Sequence, residues 1–198
     1  MARTIAKDHD QKRAQILRSA AKVFADQGFD RASMSQLARE CGISKANIYH
    51  YYDSKDALLF DLLDTYLSGL RDRICGTPLD GLSPEDKLRA TISATLKAYQ
   101  GADDEHRVQT TGIPVLPPEQ QDILRAYQRD MVKHMSDLIC GIAPDVFEND
   151  RGKLYSATMS VFGMLNWFYM WNSKAGEEVR EEYAQLVSNL TLKGVHGL

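Results

Sequence analysis

The segment Gly42-Ile43-Ser44-Lys45-Ala46-Asn47-Ile48-Tyr49-His50-Tyr51-Tyr52-Asp53-Ser54-Lys55 limits this chain more than any other. Gly42 permits a sharp turn, and Ser44 caps a short helix by accepting an amide N–H from Ala46 or Asn47. Ile48 is the interior residue of that helix. Its outward residues are Lys45, Ala46, Asn47, Tyr49, His50 and Tyr51, a set of donors and aromatics that few solvated helices carry. This is the layout of a helix that enters a DNA major groove. Lys45 can donate to guanine acceptors, Asn47 can pair bidentately with adenine, and Ala46 is small enough to let the helix N-terminus approach and to lie against a thymine methyl.

The residues before it supply a scaffold. From Gln11 onward Ile16, Ala20, Val23 and Phe24 recur at helical spacing, with Lys12, Arg13, Arg18 and Lys22 between them. Gly28 falls where a left-handed C-cap would end this first helix, and Phe29 follows the turn. Ser33 with Gln36 predicts a capping box for a second helix in which Leu37 and Ala38 face inward. Cys41 is expected in the core, and Ile43 plugs the space between helices. Ser33 and Ser35, at the positive end of the second helix, suit a phosphate of the flanking strand.

Over residues 10–60 the Ser33–Cys41 helix and the Gly42–Lys55 segment resemble the helix-turn-helix of the TetR family, bacterial one-component repressors that fuse a small DNA-binding domain to a larger ligand-sensing one. The resemblance implies that Tyr49, His50, Tyr51 and Lys55 clamp phosphates or reach bases at the groove edge. Two positions depart from the common family pattern. Ala32 stands where a hydroxyl residue is frequent, which would remove one phosphate contact. Tyr52 replaces a usual Phe, a change expected to touch packing more than recognition.

The net charge of −3 suits DNA binding only once it is divided. Residues 1–55 hold 10 Lys and Arg against 6 Asp and Glu, while residues 56–198 hold 14 against 21. A locally positive face meets phosphate, and an acidic body discourages non-specific wrapping. No run of 18 apolar residues exists and the N-terminus has no apolar signal-peptide core, so a cytoplasmic protein without membrane association is expected. Cys41, Cys75 and Cys140 are far apart and odd in number, which suggests neither a disulfide framework nor a zinc site.

Beyond Ser54, which caps the next helix, Leu58, Leu59, Leu62, Leu63, Tyr66, Leu67 and Leu70 recur at spacings of three and four to about Ile74. This helix is the natural lever between a helix-turn-helix domain at 1–55 and a body at 56–198. Pro84 opens another helix through Tyr99. A short helix near His106 and a loop fill 101–118, and a helix covers 119–140. Residues 150–173 are apolar nearly all round, so this helix must be covered on more than one side. A final helix carries Val179, Tyr183, Leu186, Val187 and Leu190. No Gly or Pro cluster suggests strands, and the expected class is all-α. The family resemblance implies that the last two helices, at 150–195, pack against a second copy in an isologous four-helix interface, with Val187 or Leu190 facing the partner. A two-fold axis then implies a palindromic double-stranded DNA operator.

The body offers candidates for effector binding in Tyr99, Tyr127, Met131, Met135, Phe162, Asn166, Trp167 and Tyr169, any of which serves equally well as plain core. Asn166, an amide between Leu165 and Trp167, needs a buried partner. The run Phe162–Trp171 resembles the corresponding helix of TetR-type regulators of fatty-acid, sterol and phenylacetate catabolism, which implies an acyl-CoA thioester as effector, with another hydrophobic small molecule as the next choice. Its phosphates would need cations, for which Arg125, Arg129 and Lys133 at i, i+4 and i+8 are available, with Arg89 and Arg107 further candidates. The same stripe would also serve as a solvated basic face. No cofactor beyond this effector is called for.

Catalysis is not suggested. The five histidines are scattered, and there is no Gly-rich phosphate loop and no His-Glu-x-x-His run. Asp8-His9-Asp10 could ligate a metal on paper but sits at a terminus expected to be flexible, so neither catalytic nor metal residues are assigned. The competing reading is a constitutive or structural DNA-binding protein without an effector.

Overall fold

The structure is a computed structural model that describes residues 2–172 and 174–197, with side chains from His9 onward. The described residues form ten α-helices and no strand: α1 (Ala2–Gln27), α2 (Met34–Glu40), α3 (Lys45–Tyr51), α4 (Lys55–Cys75), α5 (Pro84–Ala98), α6 (Asp103–Gly112), α7 (Pro118–Ile142), α8 (Pro144–Phe147), α9 (Arg151–Trp167) and α10 (Glu177–Val195). The all-α expectation holds. Short 3-10 turns at Ile113–Val115 and Phe168–Met170 extend α6 and α9. None of the helices among the described residues is long and apolar enough to cross a membrane.

Local signals place most boundaries. Gly28, at φ +83°, ends α1 by donating to the Phe24 carbonyl at 2.9 Å. Gly42, at φ +65°, closes α2 in a paired C-cap in which its own N–H reaches the Arg39 carbonyl and that of Ile43 reaches Ala38. Ser33, Ser44, Ser54 and Ser83 accept from the amides of Gln36, Asn47, Ala57 and Asp86 at the starts of α2, α3, α4 and α5.

Four expectations need correction. First, α1 begins at Ala2, not Gln11, because no Gly or Pro interrupts residues 2–27. His9 and Asp10 therefore lie in a helix, while the side chain of Asp8 lies outside the described residues. Second, Ser33 caps α2 alone: the Gln36 side-chain amide donates instead to the side chain of Gln27 at 2.7 Å, which stitches the end of α1 to α2. Third, the short helix expected near His106 is present as α6, but the loop expected after it holds a 3-10 turn at Ile113–Val115. Fourth, the helix expected over 150–173 tightens into its 3-10 turn after Trp167.

The chain divides into two compact units, residues 1–67 with 104–124, and residues 68–103 with 125–198, so the boundaries fall inside α4, at the start of α6 and inside α7. In the first unit Ile16, Leu37, Ile48, Leu58, Leu59 and Leu63 are buried at the centre. Gly112 lets α6 sit close to α4, since a Cβ there would meet Leu59 and Leu63 methyls at 3.2 Å.

In the second unit α5 packs along α10. The buried hydroxyls of Thr95, Ser188 and Thr191 donate to carbonyls one turn back in their own helices, so the seam is close without stranded polar groups at those positions. Arg180 is fully buried. Its guanidinium donates to the carbonyls of Leu96 and Ala175 and lies over the Phe168 ring at 5.4 Å, placing a cation at the negative end of α5. Burial holds its pKa below the usual arginine range.

Candidate nucleic-acid interface

In the first unit α3 stands on Ile48, which is fully buried, and leaves Lys45, Ala46, Asn47, Tyr49 and His50 exposed. Ser44 holds the N-terminus of the helix, so Lys45, Ala46 and Asn47 occupy its first turn, where backbone N–H groups also point outward. The Lys45 ammonium lies 5.9 Å from the centre of the Tyr49 ring. Tyr51 is half-buried, with its ring stacked on His9 of α1 at 4.8 Å and against the edge of His50. The stack brings the N-terminal part of α1 beside α3, which the sequence reading does not anticipate. The only sequence signal for it is the unbroken helical run before Gln11.

Ser33 and Ser35 are exposed at the start of α2. Ser33 accepts one N–H as the cap, and its hydroxyl proton remains a donor for a phosphate oxygen. Lys55 is placed differently. Its ammonium donates to the carbonyls of Phe29 at 2.6 Å, Ala32 at 3.0 Å and Asp30 at 3.3 Å, and lies over the Phe29 ring at 4.2 Å. All three protons thus tie the start of α4 to the turn between α1 and α2. Lys55→Ala is therefore expected to destabilise the unit by about 1–3 kcal/mol, the scale for losing hydrogen bonds from a charged donor. A fall in the thermal unfolding midpoint of the variant checks this; an unchanged midpoint would show that the staple contributes nothing.

The effector candidates lie in two places. Arg107 is in the first unit, where it donates to the Ala25 carbonyl at the end of α1 and faces Asp26 and Asp104. The others lie in the second unit. The Tyr99 hydroxyl donates to the Asn166 side-chain carbonyl at 2.7 Å, which supplies the partner that Asn166 requires. Burial pushes the Tyr99 phenol far above its ordinary range. Met131, Met135 and Phe162 are buried, Tyr169 is half-buried, and Tyr127 packs beneath the Arg71 guanidinium at 4.9 Å. Arg125 and Arg129 are exposed on α7, and Lys133 pairs with Asp137. Trp167 is 57% exposed and belongs to the outer face of α9.

A cleft of about 330 Å³ opens between α5 and α10, lined by Arg89, Glu181, Ala184, Gln185, Ser188 and Asn189. Within it Arg89 donates to Asn189, and Glu181 accepts from Ser93 and pairs with Lys97. Among the described residues no cluster of His, Cys, Asp or Glu could hold a metal ion.

Family comparison agrees with this geometry. Residues 16–62 match the model for bacterial regulatory proteins of the tetR family, and residues 81–195, more than half the chain, match that for the tetracyclin repressor-like C-terminal domain. The chain belongs to the TetR family. A TetR-family transcriptional regulator from Bordetella parapertussis has the same fold, with a TM-score of 0.84, 32% identity, and coverage of 94% of this chain and 96% of that one. A structure of AibR in complex with isovaleryl coenzyme A and operator DNA superposes with a TM-score of 0.74 at 21% identity, covering 91% and 98% of the two chains. Its likeness is one of fold. The HTH-type transcriptional regulator BetI of Rhizobium meliloti is 32% identical over 91 residues, 46% of this chain and 45% of that protein. This chain thus spans less than half the length of that curated relative. The family and these relatives are transcriptional regulators, not enzymes.

Proposed function

We propose that this TetR-family regulator is a cytoplasmic repressor that binds a pseudo-palindromic operator as a homodimer and leaves it when a hydrophobic small molecule binds the second unit. The observation that carries the reading is α3: a capped helix held by one buried Ile48, presenting Lys45, Asn47 and Tyr49 to solvent. Lys45, Ala46 and Asn47 read base edges; Ser33, Ser35, Tyr49, His50 and Tyr51 hold phosphates or the groove edge. Lys55 supports them by fixing the turn before α2.

The dimer is supported by apolar surface that one chain leaves uncovered. Tyr155, Met159 and Trp167 form an exposed stripe along α9, with Gly163 between them, and Val179, Leu186 and Leu190 form another along α10. Apolar faces of this kind at two neighbouring helices mark an interface. Val187 is fully buried within its own chain, so Leu190 and not Val187 belongs to that surface.

The effector reading favours an acyl-CoA thioester. Its acyl chain would pack among Met131, Phe162 and Tyr169 beside the Tyr99–Asn166 pair, and its phosphates would face Arg125 and Arg129. AibR, with the same fold, is seen bound to such a ligand. A ligand that binds the free dimer more tightly than the DNA-bound dimer shifts the equilibrium toward release. Because α4 is one helix from Lys55 to Cys75, displacement at its far end is felt at its start.

The test has two parts. At a concentration 100 times its dissociation constant, the effector is expected to add about 2.7 kcal/mol of stability, roughly 5–10 °C in unfolding midpoint for a chain of this size. In a fluorescence-anisotropy release assay, the matched acyl-CoA should displace operator while free acid and CoA do not. Equal release by free acid would remove the role of Arg125 and Arg129. Failure of every acyl-CoA, acid and other hydrophobic ligand to shift either signal would instead favour a constitutive DNA-binding protein.

A further inference from the structure

Tyr52 ends α3. It is the C-cap residue, with extended backbone at φ −143°, and its amide still donates to the Ile48 carbonyl. Its side chain is buried, so the hydroxyl requires a partner. That partner is Asp61 of α4, whose Oδ2 accepts from the Tyr52 hydroxyl at 2.5 Å. The same oxygen accepts from Arg13 Nε at 2.9 Å, Oδ1 accepts from Arg13 Nη2, and that nitrogen also reaches the Thr65 hydroxyl at 2.9 Å. One carboxylate therefore joins the exit of α3, the body of α1 and the second turn of α4. The hydroxyl that makes the junction is the atom by which Tyr52 differs from the Phe usual in the family, so the substitution does more than alter packing. Hydrogen bonding to Asp61 raises the Arg13 pKa, and burial, followed by the Asp61 bond, raises that of Tyr52.

We propose that Asp61, through Tyr52 and Arg13, is a positioning residue for DNA reading: it sets the angle at which α3 presents Lys45 and Asn47. Bidentate base contacts tolerate little misalignment, whereas phosphate contacts through flexible side chains tolerate more. Loss of the junction therefore acts on specific binding ahead of non-specific binding. The proposal rests on α3 being the reading helix.

The experiment compares the parent protein with Tyr52→Phe, Asp61→Ala, the double variant and Asn47→Ala. Each is titrated with an operator duplex recovered from random-sequence DNA by the parent protein, and with an unrelated duplex of equal length. Tyr52→Phe removes one oxygen and should keep its unfolding midpoint within a few degrees of the parent. It is expected to lose about tenfold in operator affinity, with unrelated-duplex affinity and salt slope unchanged. Asp61→Ala, which removes the acceptor, should lose more, and adding Tyr52→Phe to it should cost nothing further, because the two share one interaction. Parent-like operator affinity in Tyr52→Phe overturns the proposal. So does an equal loss on both duplexes, or full additivity of the two substitutions. If Asn47→Ala loses operator affinity and Tyr52→Phe does not, the reading helix stands and only the positioning role falls. If Asn47→Ala also binds like the parent, both fall together.

Discussion

Leu190→Glu is expected to turn the proposed dimer into a monomer and to abolish operator binding at concentrations where the parent is saturated. Leu190 is 55% exposed on α10, one turn from Leu186 at 52%, and Trp167 and Tyr155 are exposed at 57% and 61% on α9. If this surface is covered by a second copy, each glutamate loses its water without gaining a cation. An uncompensated buried charge costs about 3–5 kcal/mol, and the two-fold axis places it twice in one interface, for roughly 6–10 kcal/mol in all. That is about four to seven powers of ten in association constant. Sedimentation velocity reads the outcome directly. Because Leu190 is turned to solvent within the subunit, circular dichroism of the variant should keep its helical signal, which separates loss of the dimer from loss of the fold. Val187→Glu is the contrasting case: Val187 is buried inside its own chain, so a charge there should unfold the second unit. A variant Leu190→Glu that sediments as a dimer would place the interface elsewhere.

Asn47→Ala is expected to relax sequence preference, not to remove DNA binding. A good bidentate base contact discriminates by about 1–3 kcal/mol, and a dimer makes it twice, so operator preference over unrelated DNA should fall by about 30-fold to more than 10⁴-fold. Non-specific affinity should hardly move, since Asn47 carries no charge. Lys45→Ala should likewise lower operator preference, because it removes a donor to guanine, and should also weaken non-specific binding and flatten the salt slope, because it removes a charge beside the duplex. Both residues are exposed, so neither change should lower the unfolding midpoint. Titrations at several salt concentrations distinguish the two patterns. Parent-like specificity in both variants would remove α3 from the interface.

Much of the first unit was legible in the sequence because its instructions are short-range. Ser33, Ser44 and Ser54 each cap a helix through a bond to the amide three residues on, and Gly28 and Gly42 adopt left-handed backbone that other residues avoid. Those signals determined the turn, the start of α3 and the single inward Ile48 of that helix, and hence which of its side chains face solvent. The family followed from the same run of residues. What lay beyond reach was any choice among equivalent partners distant in the chain. Lys55 has three protons and could serve a phosphate or a protein carbonyl; only the closeness of the turn at Phe29–Ala32 decides between them. Arg13 and Asp61 are 48 residues apart, and Tyr99 and Asn166 are 67 apart, so no periodicity could join them. Val187 and Leu190 are both apolar on one helix, yet packing against α5 buries the first and leaves the second in solvent. Local propensity sets where each helix begins and ends; tertiary packing sets which of its polar atoms are used up inside the molecule and which apolar faces remain for a partner.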